Sequence, residues 1–280
     1  MNYYEVKFTL SPYDQQKSEI LVALLAEIGF DSFEDIEEGV NAFIPEKNFN
    51  ADNIACLLKK DPFRETQILY HPRLIENQNW NKKWESNFDP INIENLCRIR
   101  APFHKPEKGF TLDIEIEPKM SFGTGHHQTT WLMVRQIFNL DVKGKRVLDM
   151  GCGTGILAIA AEKLGAENVV AIDNDQWAFE NATENAERNY CKKIQVLLGD
   201  ASSLNSMNFD IILANINLNT LINDLPVYKN CLLKKGKLIV SGILKSDIPK
   251  INKTAIDLNL YPFVEENRND WLLIGYERIK

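Results

Sequence analysis

The stretch Arg146-Val147-Leu148-Asp149-Met150-Gly151-Cys152-Gly153-Thr154-Gly155-Ile156-Leu157-Ala158 decides the fold. An apolar run of strand length meets three glycines at alternate positions, and a helical pattern begins at once. Without Cβ atoms at Gly151, Gly153 and Gly155, a ligand can lie against bare backbone beside the N–H groups of the helix start. Outward from this turn, strands are predicted at 147–150, 169–172, 194–198, 211–214 and 238–241, with helices at 129–139, 156–164, 176–189, 219–232 and 247–258. Near-continuously apolar strands alternating with helices predict a parallel sheet covered on both faces. The last pair, 263–266 and 271–278, is separated only by Asn267-Arg268-Asn269-Asp270, too short for a crossover helix. The final strand is therefore expected to run antiparallel to its neighbour. The fold class is α/β, a Rossmann-like sheet of seven strands.

Residues 1–70 differ in type. Tyr4 to Leu10 alternates as a half-buried strand does. Ser11 and Pro12 are placed as the N-cap and first position of a helix carrying Leu21, Leu24, Leu25 and Ile28 on one face and ending at Gly29. Residues 33–37 and 40–45 read as a hairpin about Glu38-Gly39, 51–60 as a helix capped by Asn50, and 63–70 as a fourth strand. The order strand, helix, strand, strand, helix, strand is the ferredoxin-like arrangement. Residues 71–117 form a linker with leading strands at 91–103 and 110–116, and Trp80 and Trp84 share a helical face there. Residues 118–280 form the α/β domain.

Composition bounds the partners. The net charge of −7 over 280 residues argues against direct binding to a nucleic-acid backbone. The apolar run at 156–161 is too short for a bilayer, and the N-terminal residues lack the basic-then-apolar pattern of a secretory signal. Five scattered cysteines with no C-x-x-C pair suit reduced thiols and a cytoplasmic setting. No membrane partner is expected, and the chain is expected to be a monomer.

Ligands of open parallel sheets sit beyond the carboxyl ends of the strands, where strand order reverses. Asp149, Asp173, Asp200 and Asn215 end four successive strands there. Gly153 to Ala158 fits G-x-G-x-x-A, and Asp173 follows at a ribose-binding distance, so a dinucleotide is one reading. An anion beside Asp149 is unfavourable, however. S-adenosylmethionine suits the set better: it has a cationic sulfonium and ammonium, two ribose hydroxyls and no phosphate. Gly151 and Gly153 would lie under it, Asp173 would accept from its ribose, and Asp200 would sit near its adenine. A second glycine loop, Ser121-Phe122-Gly123-Thr124-Gly125-His126-His127, leads into the helix at Thr129 and Thr130 and fits as a cover for the crevice. Adjacent histidines do not converge on one ion, and no metal is expected.

The runs Phe122-Gly123-Thr124-Gly125-His126-His127-Gln128-Thr129-Thr130, Asp149 to Ala161, Ala171-Ile172-Asp173-Asn174-Asp175 and Ala214-Asn215-Ile216 together resemble the PrmA-type methyltransferases, which modify ribosomal protein eleven of the large subunit. The glycine turn alone resembles class I methyltransferases in general; the glycine–threonine–histidine loop and Asn215-Ile216 narrow the likeness. The resemblance implies a ferredoxin-like N-terminal domain that grips the substrate. It implies methylation of lysine and N-terminal amines, and cofactor contacts at Thr130, Gly151, Asp173 and Asn215. No residue stands out as a general base; Asn215 is the candidate for orienting the amine. A methyltransferase of RNA or of a small-molecule amine, and a nicotinamide-dependent oxidoreductase, are the alternatives.

Overall fold

Residues 2–63, 65–75, 88–119, 121–204 and 207–279 are described by the structure, a computed structural model. Contacts divide the chain into two units, Met1–Asn87 and Phe88–Lys280. Trp80 and Trp84 lie outside the described residues.

In the first unit the order is β1 (Tyr3–Ser11), α1 (Gln15–Glu27), β2 (Ser32–Ile36), β3 (Gly39–Pro45), α2 (Ala51–Leu58) and β4 (Gln67–Ile75). The sheet runs β2-β3-β1-β4, antiparallel throughout, which is the ferredoxin-like order. Val6, Phe8 and Leu10 point from β1 into a core with Leu21, Leu25 and Ile54. Two local expectations fail. Ser11 does not cap α1: it pairs with Gln67 across the ladder, which holds it extended. Asp14 takes the capping role, its carboxylate accepting from the Lys17 N–H at 3.1 Å. The fourth strand starts at Gln67 rather than Phe63 because Asp61–Phe63 forms a tight turn closed by Thr66 N–H on the Phe63 carbonyl. Gly39 opens β3 because a Cβ there would stand 2.0 Å from the Phe8 carbonyl oxygen.

The second unit begins with β5 (Ile91–Ile93), β6 (Cys97–Arg100) and β7 (Leu112–Glu115), a small sheet in that order. The single strand expected over 91–103 is broken because Glu94 adopts φ +50° and the chain turns back on itself. Then follow α3 (Gln128–Phe138), β8 (Arg146–Met150), α4 (Ile156–Lys163), β9 (Asn168–Asp173), α5 (Gln176–Arg188), β10 (Ile194–Leu198), β11 (Phe209–Asn215), α6 (Leu218–Cys231), β12 (Leu232–Leu244), α7 (Ile248–Asp257), β13 (Leu260–Arg268) and β14 (Trp271–Arg278). These strands form one seven-stranded sheet in the order β10-β9-β8-β11-β12-β14-β13. The first five are parallel. The last strand slots between β12 and β13, antiparallel to both.

Successive residues of each strand face opposite sides. Val147, Val169, Leu213 and Ile239 enter a core with α3 and α4; Leu148, Val170, Ile212 and Val240 enter another with α6 and α7. That two-sided burial explains the unbroken apolar runs. Strand order reverses between β8 and β11, so the crevice opens at the carboxyl ends of these two strands. Among the described residues, no helix is long and apolar enough to cross a membrane.

Candidate active site

Gly151, Gly153 and Gly155 have φ of +68°, +55° and +76°, the left-handed region that disfavours any side chain. At Gly153 a Cβ would also stand 2.2 Å from the Phe122 carbonyl oxygen. The reason is that the two glycine loops dock backbone to backbone. The Thr154 N–H donates to the Phe122 carbonyl at 2.9 Å, and the Thr154 hydroxyl to the Gly123 carbonyl at 2.8 Å. Gly123, at φ +106°, leaves room for that hydroxyl: a Cβ would stand 2.7 Å from it.

Asp173, at the tip of β9, holds the turn. One oxygen accepts the Gly153 N–H at 2.9 Å and the other the Asp175 N–H at 3.1 Å. Asp149 behaves differently from the expectation that it faces the crevice. It is fully buried beneath the start of α4 and accepts the Ala158 N–H at 3.0 Å. Gly155 gives α4 no side-chain cap, so Asp149 supplies the acceptor from below. Burial pushes its carboxyl up to about 7.

A cavity of about 390 Å³ opens at the strand tips, and Gly151, Asp173, Asp200, Asn215, Ile216 and Phe122 help line it. Asp175 and Asp224 also reach it, so four carboxylates and no lysine or arginine among the described residues form its wall. Each acid has a local reason to be there. Asp175 caps α5, accepting from the Trp177 N–H at 2.9 Å. Asp200 accepts the Ser202 N–H and hydroxyl at 2.9 and 2.6 Å, which hold its carboxyl below the usual range. Asp224 accepts the buried Tyr228 hydroxyl at 3.0 Å, and its own burial, with the nearby Asp200 charge, raises its carboxyl. Such a wall attracts cations and repels a diphosphate.

Of the four residues expected at the cofactor, Gly151, Asp173 and Asn215 line this cavity. Thr130 does not; it is buried in the first turn of α3. The structure nevertheless leaves the Oγ1 of Thr130 and the Oδ1 of Asn215 buried without a hydrogen-bond partner. An unpaired buried polar atom is costly, and for Asn215, at the cavity wall, a bound ligand relieves that cost. His127 caps α3: its Nδ1 accepts the Thr129 N–H at 3.3 Å and lies 2.7 Å from the Thr129 hydroxyl. Its ring packs on Trp271 at 4.6 Å, and burial lowers its basicity.

Sequence reasoning missed Asp224, whose helix position gave no sign that it would face the cavity. It also missed Asn185 of α5 and Asn189, the residue that follows its last turn. Asn185 and Asn189 accept the backbone N–H groups of Glu117 and Glu115, and the Asn185 amide donates to the Thr154 carbonyl at 3.0 Å. Their i, i+4 spacing was visible, but their partners are about 70 residues away in sequence.

A family profile described as "Ribosomal protein L11 methyltransferase (PrmA)" matches residues 14–278. A "Ribosomal protein L11 methyltransferase" of Porphyromonas gingivalis is 45% identical over 260 residues, spanning 92% of this chain and 90% of that one. One of Phocaeicola vulgatus is 40% identical over 278 residues, 99% of each. A crystal structure of "ribosomal protein L11 methylase" from Lactobacillus delbrueckii subsp. bulgaricus superposes with TM-score 0.64 at 30% identity, covering 69% of this chain and all of that one.

Proposed function

Because the chain belongs to the ribosomal protein L11 methyltransferase (PrmA) family, we propose that it methylates lysine side-chain and N-terminal amines of ribosomal protein L11. It is a class I S-adenosylmethionine-dependent protein methyltransferase. The observation that carries the reading is the cavity of four carboxylates, without a basic residue among the described residues, with the Oδ1 of Asn215 at its wall and unpaired among those residues. That donor set fits a ligand with two positive centres and a ribose.

S-adenosylmethionine, when bound, supplies a methyl group made electrophilic by its sulfonium. Gly151 and Gly153 offer bare backbone to it. Asp173 keeps spare lone pairs for hydroxyl donors after holding Gly153 and Asp175. Asp200 stands ready for an exocyclic amine. Asn215 Oδ1 accepts an N–H, from the cofactor's ammonium or from the incoming amine. Thr130 stands off the cavity wall in the first turn of α3, and it would join the set only through its buried hydroxyl, which has no partner among the described residues.

A lysine has an unperturbed pKa of roughly 10.4, so its lone pair is masked at neutral pH. Phe122 and Ile216 line the cavity, and desolvation against these apolar side chains works toward the neutral amine, in opposition to the pull of the four carboxylates on the ammonium. Positioning, rather than a dedicated base, then supplies most of the rate. The first unit grips the protein substrate and offers its amines in turn. The enzyme works as a monomer in the cytoplasm, where its five cysteines stay as thiols, without membrane or direct nucleic-acid contact.

The test is incubation with labelled S-adenosylmethionine and the ribosomal proteins of the same cell, with the label located by mass spectrometry. Label on amines of L11 is the expected result. Label on RNA or on a small amine instead overturns the reading in favour of those substrates. Tighter binding of NAD than of S-adenosylmethionine in calorimetry overturns it in favour of an oxidoreductase.

A further inference from the structure

A second, smaller cavity of about 200 Å³ lies on the other side of the glycine–histidine loop, lined by Asn92, Gly125, His126, Gln128, Trp131 and Arg268 among others. Arg268 is the last residue of β13, and its guanidinium carbon stands 3.9 Å from the centre of the Trp131 ring. The ring covers one face of the guanidinium, and its N–H groups have no hydrogen-bond partner among the described residues; a guanidinium takes a carboxylate with two parallel hydrogen bonds. Acidic side chains nearby do not satisfy it. Glu94 and Glu266 both bind Arg135, at 2.8 and 2.6 Å. Among the described residues Arg268 has no ion pair. A cation held against an aromatic face, in a pocket lined also by an imidazole and two amides, suits an anion.

Its place in the sheet says whose anion. β14 is antiparallel to β12, with Trp271 opposite Leu244, so the β13–β14 turn lies at the same carboxyl edge as the tips of β8, β9 and β11. One loop borders both cavities: Ser121 and Phe122 line the larger, Gly125 and His126 the smaller. A polypeptide with an amine in the larger cavity would have to cross this loop to reach Arg268. We propose that Arg268, braced by Trp131, anchors an acidic side chain of the protein substrate. This inference rests on the proposed function.

The experiment compares Arg268→Gln, Arg268→Lys and the unaltered enzyme on L11, with calorimetric binding of S-adenosylmethionine as a separate readout. Expected for Arg268→Gln is a KM for L11 raised about tenfold, the equivalent of one charge-assisted bond of about 1.4 kcal/mol. The affinity for the cofactor stays as it was, and Arg268→Lys recovers only part of the loss. Replacing the Asp and Glu residues of L11 one at a time by Asn or Gln should yield one substrate on which the two enzymes no longer differ. An unchanged KM, or a tenfold loss that no acidic residue of L11 shares, overturns the anchor. So does a loss seen only when L11 carries an RNA fragment, which would assign the anion to a phosphate. If the unaltered enzyme leaves L11 unmethylated, the functional reading fails by itself. The anchor is then judged by NMR titration with N-acetyl-aspartate: shifts of the Trp131 indole signal that vanish in Arg268→Gln support it, and their absence in the unaltered protein overturns it.

Discussion

Thr154 gives its hydroxyl proton to the carbonyl oxygen of Gly123 at 2.8 Å, across 31 residues of chain. The bond is buried and joins the glycine turn to the loop that precedes α3. Thr154→Val keeps the shape and removes the donor, leaving the Gly123 carbonyl unpaired. The cost should be about 1–3 kcal/mol, read as a lower midpoint in urea unfolding at unchanged slope. Affinity for S-adenosylmethionine should fall as well, because Phe122 beside this bond lines the cavity. Thr154→Ser should restore most of both.

Asp173 presents one oxygen to each of two N–H donors, from Gly153 and Asp175. Asp173→Asn cannot serve both, since its amide nitrogen would face a donor. Each hydrogen bond to a charged group contributes about 1.5–3 kcal/mol. Cofactor binding should therefore weaken by about 10- to 100-fold in Asp173→Asn and vanish in Asp173→Ala, as calorimetry would record.

Asp149 carries a pH dependence of stability. Its carboxyl titrates near ~3.9 when unfolded and at about 7 when buried. The folded state thus holds the proton more tightly, and its contribution is full below pH ~4 and lost as the pH rises through about 7. Asp149→Asn keeps an acceptor for the Ala158 N–H and has no proton to lose as the pH rises. Its stability should fall less than that of the unaltered enzyme between pH 4 and pH 8, in thermal unfolding followed across that range.

His127 works in the opposite sense. Burial lowers its folded value from ~6.5, and its Nδ1 must be unprotonated to accept from Thr129. Its contribution is full above pH ~6.5 and is lost as the pH falls through the lowered value. The protection of the Thr129 and Thr130 amides against hydrogen exchange, measured relative to the intrinsic rate at each pH, should fall on mild acidification. His127→Ala should remove that response and cost about 1 kcal/mol, the usual magnitude of a lost helix cap.

The apolar core of the first unit is built from residues between Val6 and Phe63, while both cores of the second unit are built from residues after Phe88. Residues 88–280 should therefore fold alone and bind S-adenosylmethionine with near-native affinity. Methyl transfer to L11 should be lost from that fragment if the first unit recruits the substrate. Full transfer by the fragment would remove that role from it.

What could be read in the sequence was what local chemistry dictates. The spacing of Gly151, Gly153 and Gly155 demands backbone that only glycine adopts, and alternation of apolar runs with helices demands a covered parallel sheet. Asp173 and Asn215 sit at strand tips, so their exposure to the crevice follows from topology. Asp149 is also at a tip, yet the unmet N–H groups of α4 draw it under the helix. A linear pattern does not say which of two faces a terminal side chain takes. Ser11 and Glu94 failed for a related reason: long-range pairing to Gln67 and a left-handed backbone overrode the local signals. Asn185 acts through partners far along the chain, where spacing carries no information, whereas Asp224 pairs locally with Tyr228 and the linear pattern hides only that it faces the cavity.

The placement of β14 has a consequence for biosynthesis. β13 joins the sheet only through β14, which is made after it. While a ribosome is still adding residues 271–278, β12 has an open edge and β13 has nothing to pair with. Arg268 and the bed under His127, which is Trp271, are settled only when that segment arrives. A nascent chain thus carries the residues of the glycine turn before it carries a finished catalytic face, and a protease or chaperone meeting it in that interval would find the β12 edge, Lys237 to Val240 with Ile243 and Leu244, unpaired.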